Sequence, residues 1–328
     1  MSLSRNIVLL LTHSGDFFTI DRVAEAIVQR GAQPFRLDTD QFPMNLQLSA
    51  QIDSERLHHR LHYQDKSIST EQVRSVWMRR LWEPKLSPEL SPQYQYACRR
   101  ESRAALLGFL DSLSEVRWVD DLRHISAAEN KLRQLRIARK AGLQIPQTLV
   151  TNDPQEARDF FQQLKGKMVA KLLTPLSASM EGSAFFLYTS EVKEADLADA
   201  ESLRYSPMVF QEQIPKLREL RVIFVAGKLF AGALDASRYS ATTMDWRNAK
   251  PGECVWEPAE IPSQIADGLN IFMAEFGLLF GAFDFIQTPD GEYIFLEVNP
   301  TGEWGMLERD LNLPISEAIA DTLLSEQR

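Results

Sequence analysis

Strand and helix patterns alternate through the first third of the chain. An unbroken apolar run at Ile7–Thr12 predicts a buried strand, and Asp21–Arg30 has the apolar spacing of an amphipathic helix. A second strand is predicted at Gln33–Leu37, just after Gly31, a residue type that favours helix ends. This order of strand, helix and strand predicts the start of an α/β layer.

Further strands and one long helix are predicted before residue 120. Leu46–Ile52 and Leu57–Tyr63 alternate between apolar and polar residues like the two arms of a hairpin. Val73–Met78 is predicted as another strand, and Tyr94–Leu113 has helical periodicity with few breaking residues.

The pattern changes near residue 120, where we predict a domain boundary. One helix is predicted from Ser126 to Lys140, a strand at Thr148–Val150, and a second helix that begins near Asp153-Pro154, where Asp is a favourable cap. The rest of the chain mixes strands with occasional helices. The predicted strands are Met168–Leu173, Ala184–Tyr188, Met208–Gln213, Leu220–Val225 and Leu229–Leu234, and the predicted helices are Ile261–Phe276 and Ile315–Leu324.

Composition excludes several classes of function. The net charge of −9 opposes attraction to phosphate backbones, and there is no long basic run, so no nucleic-acid partner is expected. The longest apolar runs fall far short of the roughly 20 residues that cross a bilayer, so no membrane helix is expected. The two cysteines, Cys98 and Cys254, are too few for a disulfide framework or a zinc site, which predicts a reducing, cytoplasmic setting.

The segment from Gly281 to Pro300 carries the most chemical information. Two apolar runs flank Pro289-Asp290-Gly291, and Asp-Gly favours a two-residue hairpin loop. In that register Asp284 lies opposite Glu297, with Cβ atoms about 4.5–5.5 Å apart. Strand alternation places Asn299 on the same face. We call Asp284 and Glu297 the carboxylate pair.

Two facing carboxylates between apolar strands repel each other, so they require a cation. Two carboxylates and an amide offer the hard oxygen ligands that suit Mg²⁺, whose shell is usually completed by water and substrate phosphates. Two alternatives remain open on geometry alone. A longer loop would shift the register and leave one acid in solvent, or arginines would neutralise the acids through salt bridges.

FLEVNP at residues 295–300, with Asp284 as the partner acid, resembles the metal-binding strand of the ATP-grasp ligases. PFRLDTDQFP at 34–43 and SVWMRR at 75–80 are similar to the N-terminal lobe of one group, the maturases of graspetides, which are microviridin-type ribosomal peptides with side-chain cross-links. This resemblance covers nearly the whole chain. It implies an α/β (α+β) ATP-grasp fold in three parts: a pre-ATP-grasp domain at 1–120, a central subdomain at 121–205 and a C-terminal antiparallel sheet at 206–328.

The resemblance also implies which residues hold ATP and Mg²⁺. Lys131 and Lys171 would reach the phosphates, FQEQIPK at 210–216 would hold adenine, and the arginine of Glu219-Leu220-Arg221 would contact the γ-phosphate and the acyl phosphate. Either lysine alone is more often a surface residue; the order of the motifs favours the ATP site. The implied metal ligands are Asp284, Glu297 and Asn299, and the implied nucleotide ligands are Lys131, Lys171, Glu212, Gln213, Ile214, Glu219 and Arg221.

For the graspetide maturases, the resemblance implies a peptide substrate with a leader and a core. ATP would phosphorylate an Asp or Glu side chain of the core, and a Ser or Thr hydroxyl would form an ester, or a Lys amine an amide.

The resemblance also implies which residues contact this peptide. Arg221, with Asp245 and Arg247 of a DxR motif, would face the acidic side chain. NPTGEW at 299–304 would close the site, and 174–182 is a candidate lid. Asp196 and Asp199, on a helix at Glu194–Leu203, would contact the leader, although a solvated acidic helix explains this pair equally well. The family tends to be dimeric, which implies a homodimer.

Two other functions fit the same motifs. An ATP-grasp ligase that adds an amino acid to a protein or small molecule would share every ATP-site residue. A nucleotide-binding regulatory protein without catalysis is the second alternative, and the complete set of phosphate and metal motifs argues against it.

Overall fold

The computed structural model describes residues 5–54, 57–173, 189–238 and 255–326. It has the predicted α/β (α+β) class, with a parallel sheet near the N-terminus and an antiparallel sheet near the C-terminus.

The N-terminal part contains two sheets. Its elements are β1 (Ile7–Thr12), α1 (Thr19–Gln29), β2 (Gln33–Asp38), β3 (Leu46–Ile52), β4 (Leu57–Tyr63), β5 (Lys66–Ser69), β6 (Val73–Met78), α2 (Pro92–Asp111) and β7 (Arg117–Val119), with short 3₁₀ helices at Thr39–Gln41 and Thr70–Gln72. Four strands pair in parallel in the order β2-β1-β6-β7. The predicted hairpin of β3 and β4 is confirmed, and β5 extends it to a three-stranded sheet.

The central part is a four-stranded antiparallel sheet covered by helices. Its elements are α3 (Leu122–Ala128), α4 (Lys131–Lys140), β8 (Thr148–Thr151), α5 (Pro154–Gln163), β9 (Met168–Lys171), β10 (Ser190–Glu191), a 3₁₀ helix (Glu194–Tyr205) and β11 (Met208–Glu212). The strand order is β10-β9-β11-β8. Asp153 caps α5 by accepting a hydrogen bond from the Gln155 backbone N–H, as predicted. Helix α5 and the 3₁₀ helix share a small separate core with this sheet.

The C-terminal part is a five-stranded antiparallel sheet. Its elements are β12 (Arg218–Val225), β13 (Lys228–Asp235), a 3₁₀ helix (Ala236–Arg238), β14 (Glu257–Pro258), α6 (Ser263–Phe276), β15 (Phe280–Gln287), β16 (Tyr293–Asn299), α7 (Gly305–Leu311) and α8 (Ile315–Leu324). The order is β14-β13-β12-β15-β16. Ala226 and Gly227 form the tight turn between β12 and β13, and both have positive φ, which glycine adopts without strain.

Helix α8 joins the two ends of the chain. Its residues Ile315, Ile319 and Leu323 recur every four positions, so they lie on one face, and all three are buried. They belong to the same apolar cluster as Ile20 and Val23 of α1. Burial of one such side chain stabilises a fold by about 1.5–3 kcal/mol. The N-terminal parallel sheet and the C-terminal sheet therefore share a core.

The single helix predicted from Ser126 to Lys140 is wrong, because the structure has two helices there. Helix α3 ends at Ala128, and Asn130 starts α4 by accepting a hydrogen bond from the Arg133 backbone N–H through its side chain. Asparagine is among the residues most favoured at a helix N-cap. The apolar periodicity continues across this cap, so periodicity alone did not reveal the break.

No helix in the described parts of the chain is long and apolar enough to cross a membrane. The predicted strand at Ala184–Tyr188 lies outside the described residues.

A buried carboxyl group, Asp120, fastens β7 to the C-terminal sheet. Its two oxygens accept hydrogen bonds from the backbone N–H groups of Leu279 (2.7 Å) and Phe280 (2.8 Å). Burial raises the pKa of the Asp120 carboxyl from 3.8 to about 7, although the two backbone donors oppose the shift.

This shift predicts that Asp120 makes stability depend on pH. The folded state retains the proton up to about pH 7, whereas the unfolded carboxyl loses it near pH 4. The group's contribution is therefore fully present below about pH 4 and is lost, by a few kcal/mol, as the pH rises to about 7. The free energy of unfolding in urea, measured at about pH 5 and about pH 8, should fall less with pH in Asp120→Asn than in the wild type.

Asp121→Asn is the matched control, because Asp121 is the neighbouring, more exposed acid and pairs with Arg123. An Asp120→Asn variant with the wild-type pH slope would contradict the assignment.

Candidate functional site

Three charged residues lie in one row across adjacent strands of the C-terminal sheet. Arg221 of β12 is directly opposite Asp284 of β15, and Asp284 is directly opposite Glu297 of β16. Directly opposed residues in antiparallel strands point to the same face, so the three side chains start from one surface of the sheet. Ala282 pairs with Asn299 one step along, as the sequence-based register requires.

The register at the carboxylate pair was predicted correctly, but the predicted two-residue loop is wrong. The strands are joined by five residues, 288–292, and Gln287 pairs with Tyr293. A bulge between the pairs Phe285–Phe295 and Asp284–Glu297 inserts one extra residue, Leu296, into β16. This insertion restores the register that places the two acids opposite each other.

Both acids are paired with cations from this chain. The Lys131 Nζ lies 2.7 Å from Glu297 Oε2, and Arg221 Nη1 lies 2.7 Å from Asp284 Oδ1. Asn299 Nδ2 lies 3.3 Å from Glu297 Oε1 and 3.4 Å from Asp284 Oδ2, so the amide bridges the pair. The salt-bridge alternative thus describes the structure as it stands, and one of its cations is a lysine rather than an arginine.

Lys131 is aimed at the pair by its position at the first turn of α4. One turn later, the buried Gln134 donates its amide N–H to the backbone oxygen of Val298 (2.9 Å) and accepts from the Val298 N–H (3.0 Å). This amide side chain pairs with β16 as a neighbouring strand would. It therefore fixes the distance between α4 and the residues on either side of Val298.

A loop after β16 holds the guanidinium of Arg221. Both Nε and Nη2 of Arg221 donate to the backbone oxygen of Glu303, at 3.2 and 3.0 Å. A Cβ atom on Gly302 would lie 2.5 Å from Ala282 Cβ and 2.9 Å from Arg221 Nη2. Only glycine therefore lets this loop approach the row so closely.

The loop is in turn held by Arg79, at the carboxyl end of β6. Its Nη1 donates to the backbone oxygen of Thr301 (2.7 Å), and its Nη2 pairs with the Glu303 carboxylate. Arg79 is only 2% exposed, and the nearby Asp16 carboxylate lies 3.7 Å from its Nε. The other Glu303 carboxylate oxygen accepts from the backbone N–H groups of Trp304 and Gly305 at the start of α7.

The predicted nucleotide residues of the central sheet stand at the ends of two paired strands. Lys171 ends β9 opposite Val209, and Glu212 ends β11 opposite Met168. Strand alternation places the Lys171 and Glu212 side chains on opposite faces of this sheet. Glu212 Oε2 accepts a hydrogen bond from the Gln147 backbone N–H at 3.3 Å.

The remaining residues of this predicted set follow β11. The Gln213 backbone N–H donates to the backbone oxygen of Lys167 at 2.9 Å. The side-chain oxygen of Gln213 is buried without a hydrogen-bond partner among the described residues. Ile214 lies in the connection to β12. Glu219 is on the same strand face as Arg221 and forms an ion pair with Lys216 at 2.6 Å.

The predicted leader-binding pair lies on the 3₁₀ helix Glu194–Tyr205, which is kinked at Asp199. Both acids are exposed. Asp196 accepts a hydrogen bond from the Lys193 backbone N–H at 2.8 Å, so this carboxylate also caps the helix. Asp245, Arg247 and the candidate lid at 174–182 lie outside the described residues.

The donor set of the row fits a magnesium ion. Asp284 and Glu297 contribute hard carboxylate oxygens from one sheet face, and the carboxylate pair already attracts two cations. Asn299 now directs its amide nitrogen at the pair, and rotation of the amide would present its oxygen as a third ligand. Among the described residues, no cluster of three His, Cys, Asp or Glu side chains could hold a metal. Mg²⁺ typically binds through one or two carboxylates and completes its shell with water and phosphate, so this set suffices.

Three residues that shape the site were not predicted from the sequence: Gln134, Gly302 and Arg79. Gln134 is a polar residue one turn after Lys131 on the same helix face, which is a usable signal. Arg79 directly follows a buried parallel strand, a position where functional side chains commonly lie. Gly302 is within the NPTGEW segment, but the need for glycine there depends on a tertiary contact.

Comparison with protein families matches the chain to two consecutive domains. Residues 7–126 match the family described as MvdD pre-ATP grasp domain, and residues 128–323 match the RimK-like ATP-grasp domain.

Solved structures similar to this chain include two macrocyclases from Microcystis aeruginosa MRC. MdnB is 56% identical, with a TM-score of 0.84 over 98% of this chain and 100% of its own. MdnC, bound with precursor peptide MdnA, is 33% identical, with a TM-score of 0.88 over 98% and 100%. A Chryseobacterium gregarium RiPP-associated ATP-grasp ligase, in complex with ADP and a leader and core peptide, is 32% identical, with a TM-score of 0.89 over 97% and 96%.

We expect the buried contacts of Arg79 to stabilise the fold. Arg79→Met removes a buried cation and leaves Asp16 and the Glu303 loop without it, which should lower the free energy of unfolding by about 3 kcal/mol. Arg80→Met is the matched control, because the Arg80 side chain is 37% exposed and lies 3.9 Å from Glu303. It should cost less than about 1 kcal/mol. Equal losses in urea unfolding would show that Arg79 does not hold the loop.

Proposed function

Because this chain belongs to the ATP-grasp ligases, we propose that it is a peptide macrocyclase that activates Asp or Glu side chains of a ribosomal precursor peptide. The bond formed is an ester with a Ser or Thr hydroxyl; an amide with a Lys amine is the other outcome of the same chemistry. The single observation that carries the proposal is the row of Arg221, Asp284 and Glu297, with Lys131 and Asn299 directed at it.

The reaction proceeds in two balanced steps. A carboxylate oxygen of the substrate attacks the γ-phosphorus of ATP, the bond to the β-phosphate oxygen breaks, and ADP leaves. A hydroxyl oxygen or amine nitrogen of the same peptide then attacks the acyl carbon. The bond from that carbon to the phosphate oxygen breaks, inorganic phosphate leaves, and the nucleophile's proton passes to phosphate or solvent. The net change in the peptide is the loss of one water.

The residues of the row supply charge and position. When bound, Mg²⁺ neutralises phosphate charge, and Asp284, Glu297 and Asn299 are the residues that would hold it. Lys131 and Arg221 then exchange their carboxylate partners for phosphate oxygens, which keeps the site near neutrality as charge develops. Lys171 joins the phosphates, Glu212, Gln213 and Ile214 hold the adenine, and Glu219 orients Arg221.

The remaining assignments complete the proposal. Arg247 and Asp245 face the acidic side chain of the core, and Asp196 and Asp199 contact the leader. The three parts of the chain, at 1–120, 121–205 and 206–328, act as pre-ATP-grasp, leader-binding and nucleotide-binding units, and two copies associate as a homodimer. The RiPP-associated relative carries a leader and core peptide together with ADP, which supports a peptide substrate here.

Incubation with a precursor peptide tests the function. The purified chain, ATP and Mg²⁺ are mixed with MdnA, either untreated or already processed by MdnC, because one organism contains both MdnB and MdnC. We expect ADP release and one water lost per ring by mass spectrometry. Alkaline hydrolysis would reopen an ester and leave an amide intact. A mass increase by an amino acid would instead indicate residue addition, and unchanged peptide in both reactions would contradict the proposal.

Two variants of the same hairpin accompany this assay, one as a test of the metal ligand and one as its control. Glu297→Gln should lower the dehydration rate by at least about a hundredfold, because it removes a proposed metal ligand. Asp290→Asn changes an exposed acid of the connecting loop and should keep the wild-type rate.

A further inference from the structure

The connections of the N-terminal parallel sheet diverge at one edge, where the topology predicts a crevice. The chain leaves β1 towards β2 on one side and leaves β6 towards β7 on the other, so the carboxyl ends of β1 and β6 form a topological switch point. In open α/β sheets, ligands bind in the crevice outside such strand ends. The residues that follow these strands are 13–18 and 79–82.

The acids at this edge are already neutralised. Asp16 accepts a hydrogen bond from the Thr12 hydroxyl and lies beside Arg79. Asp40 accepts two hydrogen bonds from Ser14 and one from Lys85, at 2.6–2.8 Å. Although burial opposes it, these bonds lower the pKa of Asp40 to about 2, so it remains charged and paired.

Arg80 is a cation at the same edge that forms no ion pair with Asp16 or Asp40 among the described residues. Its side chain is 37% exposed, and among the described residues its only ion pair is a long one of 3.9 Å to the Glu303 carboxylate. That carboxylate already accepts from Arg79 and from two backbone N–H groups. The Arg80 guanidinium is therefore available for another anion. Its planar fork suits a carboxylate better than a single point charge would.

His13 and Trp82 line the same crevice. Their rings lie 4.5 Å apart, and Trp82 is 42% exposed. Burial lowers the pKa of His13, so its imidazole is neutral at pH 7. Nδ1 accepts from the Gly15 backbone N–H at 3.2 Å, which assigns the ring proton to Nε2. Nε2 is buried and has no hydrogen-bond partner among the described residues. The exposed Trp82 ring thus offers an aromatic surface beside the cation, and the buried Nε2–H of His13 is an unpaired donor next to that ring.

The crevice adjoins the proposed phosphorylation site through Glu303. The carboxylate of Glu303 lies beside Arg80, and its backbone oxygen accepts from Arg221, which contacts Asp284. An acidic peptide that approaches a chain of net charge −9 is repelled overall, so a local cation next to the reacting centre would be decisive for its capture.

We propose that this crevice is a carboxylate subsite, in which Arg80, with His13 and Trp82, holds an acidic side chain of the peptide other than the one being phosphorylated. The proposal rests on the proposed function and adds where a second acid of the substrate binds.

A double-mutant cycle between enzyme and peptide tests the subsite. Arg80→Met should raise the KM for MdnA, in the form that the wild type processes, about tenfold, with kcat and the KM for ATP nearly unchanged. Arg80→Lys should recover part of the loss. Replacing the acidic core residues of MdnA one at a time with their amides should identify one position that raises the wild-type KM equally, and at which Arg80→Met adds no further increase.

Arg139→Met is the matched control, because it removes an exposed arginine from the last turn of α4. An Arg80→Met variant that behaves like this control, or additive effects at every acidic position, would overturn the subsite. If the wild type dehydrates neither form of MdnA, the same cycle is read from the Kd of fluorescently labelled MdnA. Coupling there supports the subsite although the reaction fails, and additivity at every position overturns it.

Discussion

The electrostatic constraint on this structure is that two carboxylates stand opposite each other on one face of a sheet. Asp284 and Glu297 are fixed there by backbone pairing, so their repulsion cannot be relieved by moving apart. Lys131 and Arg221 neutralise them, and each comes from a different element. The helix position of Lys131 and the strand register of Arg221 therefore have the same effect, which is to neutralise the carboxylate pair. A site already built around two negative charges and two exchangeable cations is well suited to a metal–phosphate complex, which carries both kinds of charge.

The N-terminal sheet contributes to this arrangement although it contains none of the row. Arg79, at the carboxyl end of β6, holds the loop whose Glu303 carbonyl receives Arg221. Helix α8 packs between the same sheet and the C-terminal strands, and Asp120 joins β7 to β15. The geometry of the row thus depends on contacts between residues more than 150 positions apart. The row and the carboxyl ends of β1 and β6 consequently belong to one packed unit.

Much of the fold and the centre of the site could be predicted from the sequence because they depend on local patterns. Apolar runs identified β1, β2, β6 and most of the C-terminal strands, and alternation placed Asp284, Glu297 and Asn299 on one face. The loop length was wrong, and the acids still faced each other because the bulge at Leu296 compensated, which no local pattern revealed. The break at Asn130 was hidden by continuous apolar periodicity across α3 and α4. The partners through which Gln134, Gly302 and Arg79 shape the site lie far away in the sequence, so a single sequence carries weak signals for these roles.

The proposed function requires the row of Arg221, Asp284 and Glu297 to hold a metal–nucleotide complex. Crystals of the chain grown with ADP and Mn²⁺, which scatters anomalously and can replace Mg²⁺, test it most directly. We expect an anomalous peak within coordination distance of oxygens from Asp284, Glu297 and Asn299, with the Lys131 ammonium moved from Glu297 to a phosphate oxygen. A nucleotide and manganese bound elsewhere, with the Lys131–Glu297 and Arg221–Asp284 pairs intact, would contradict it.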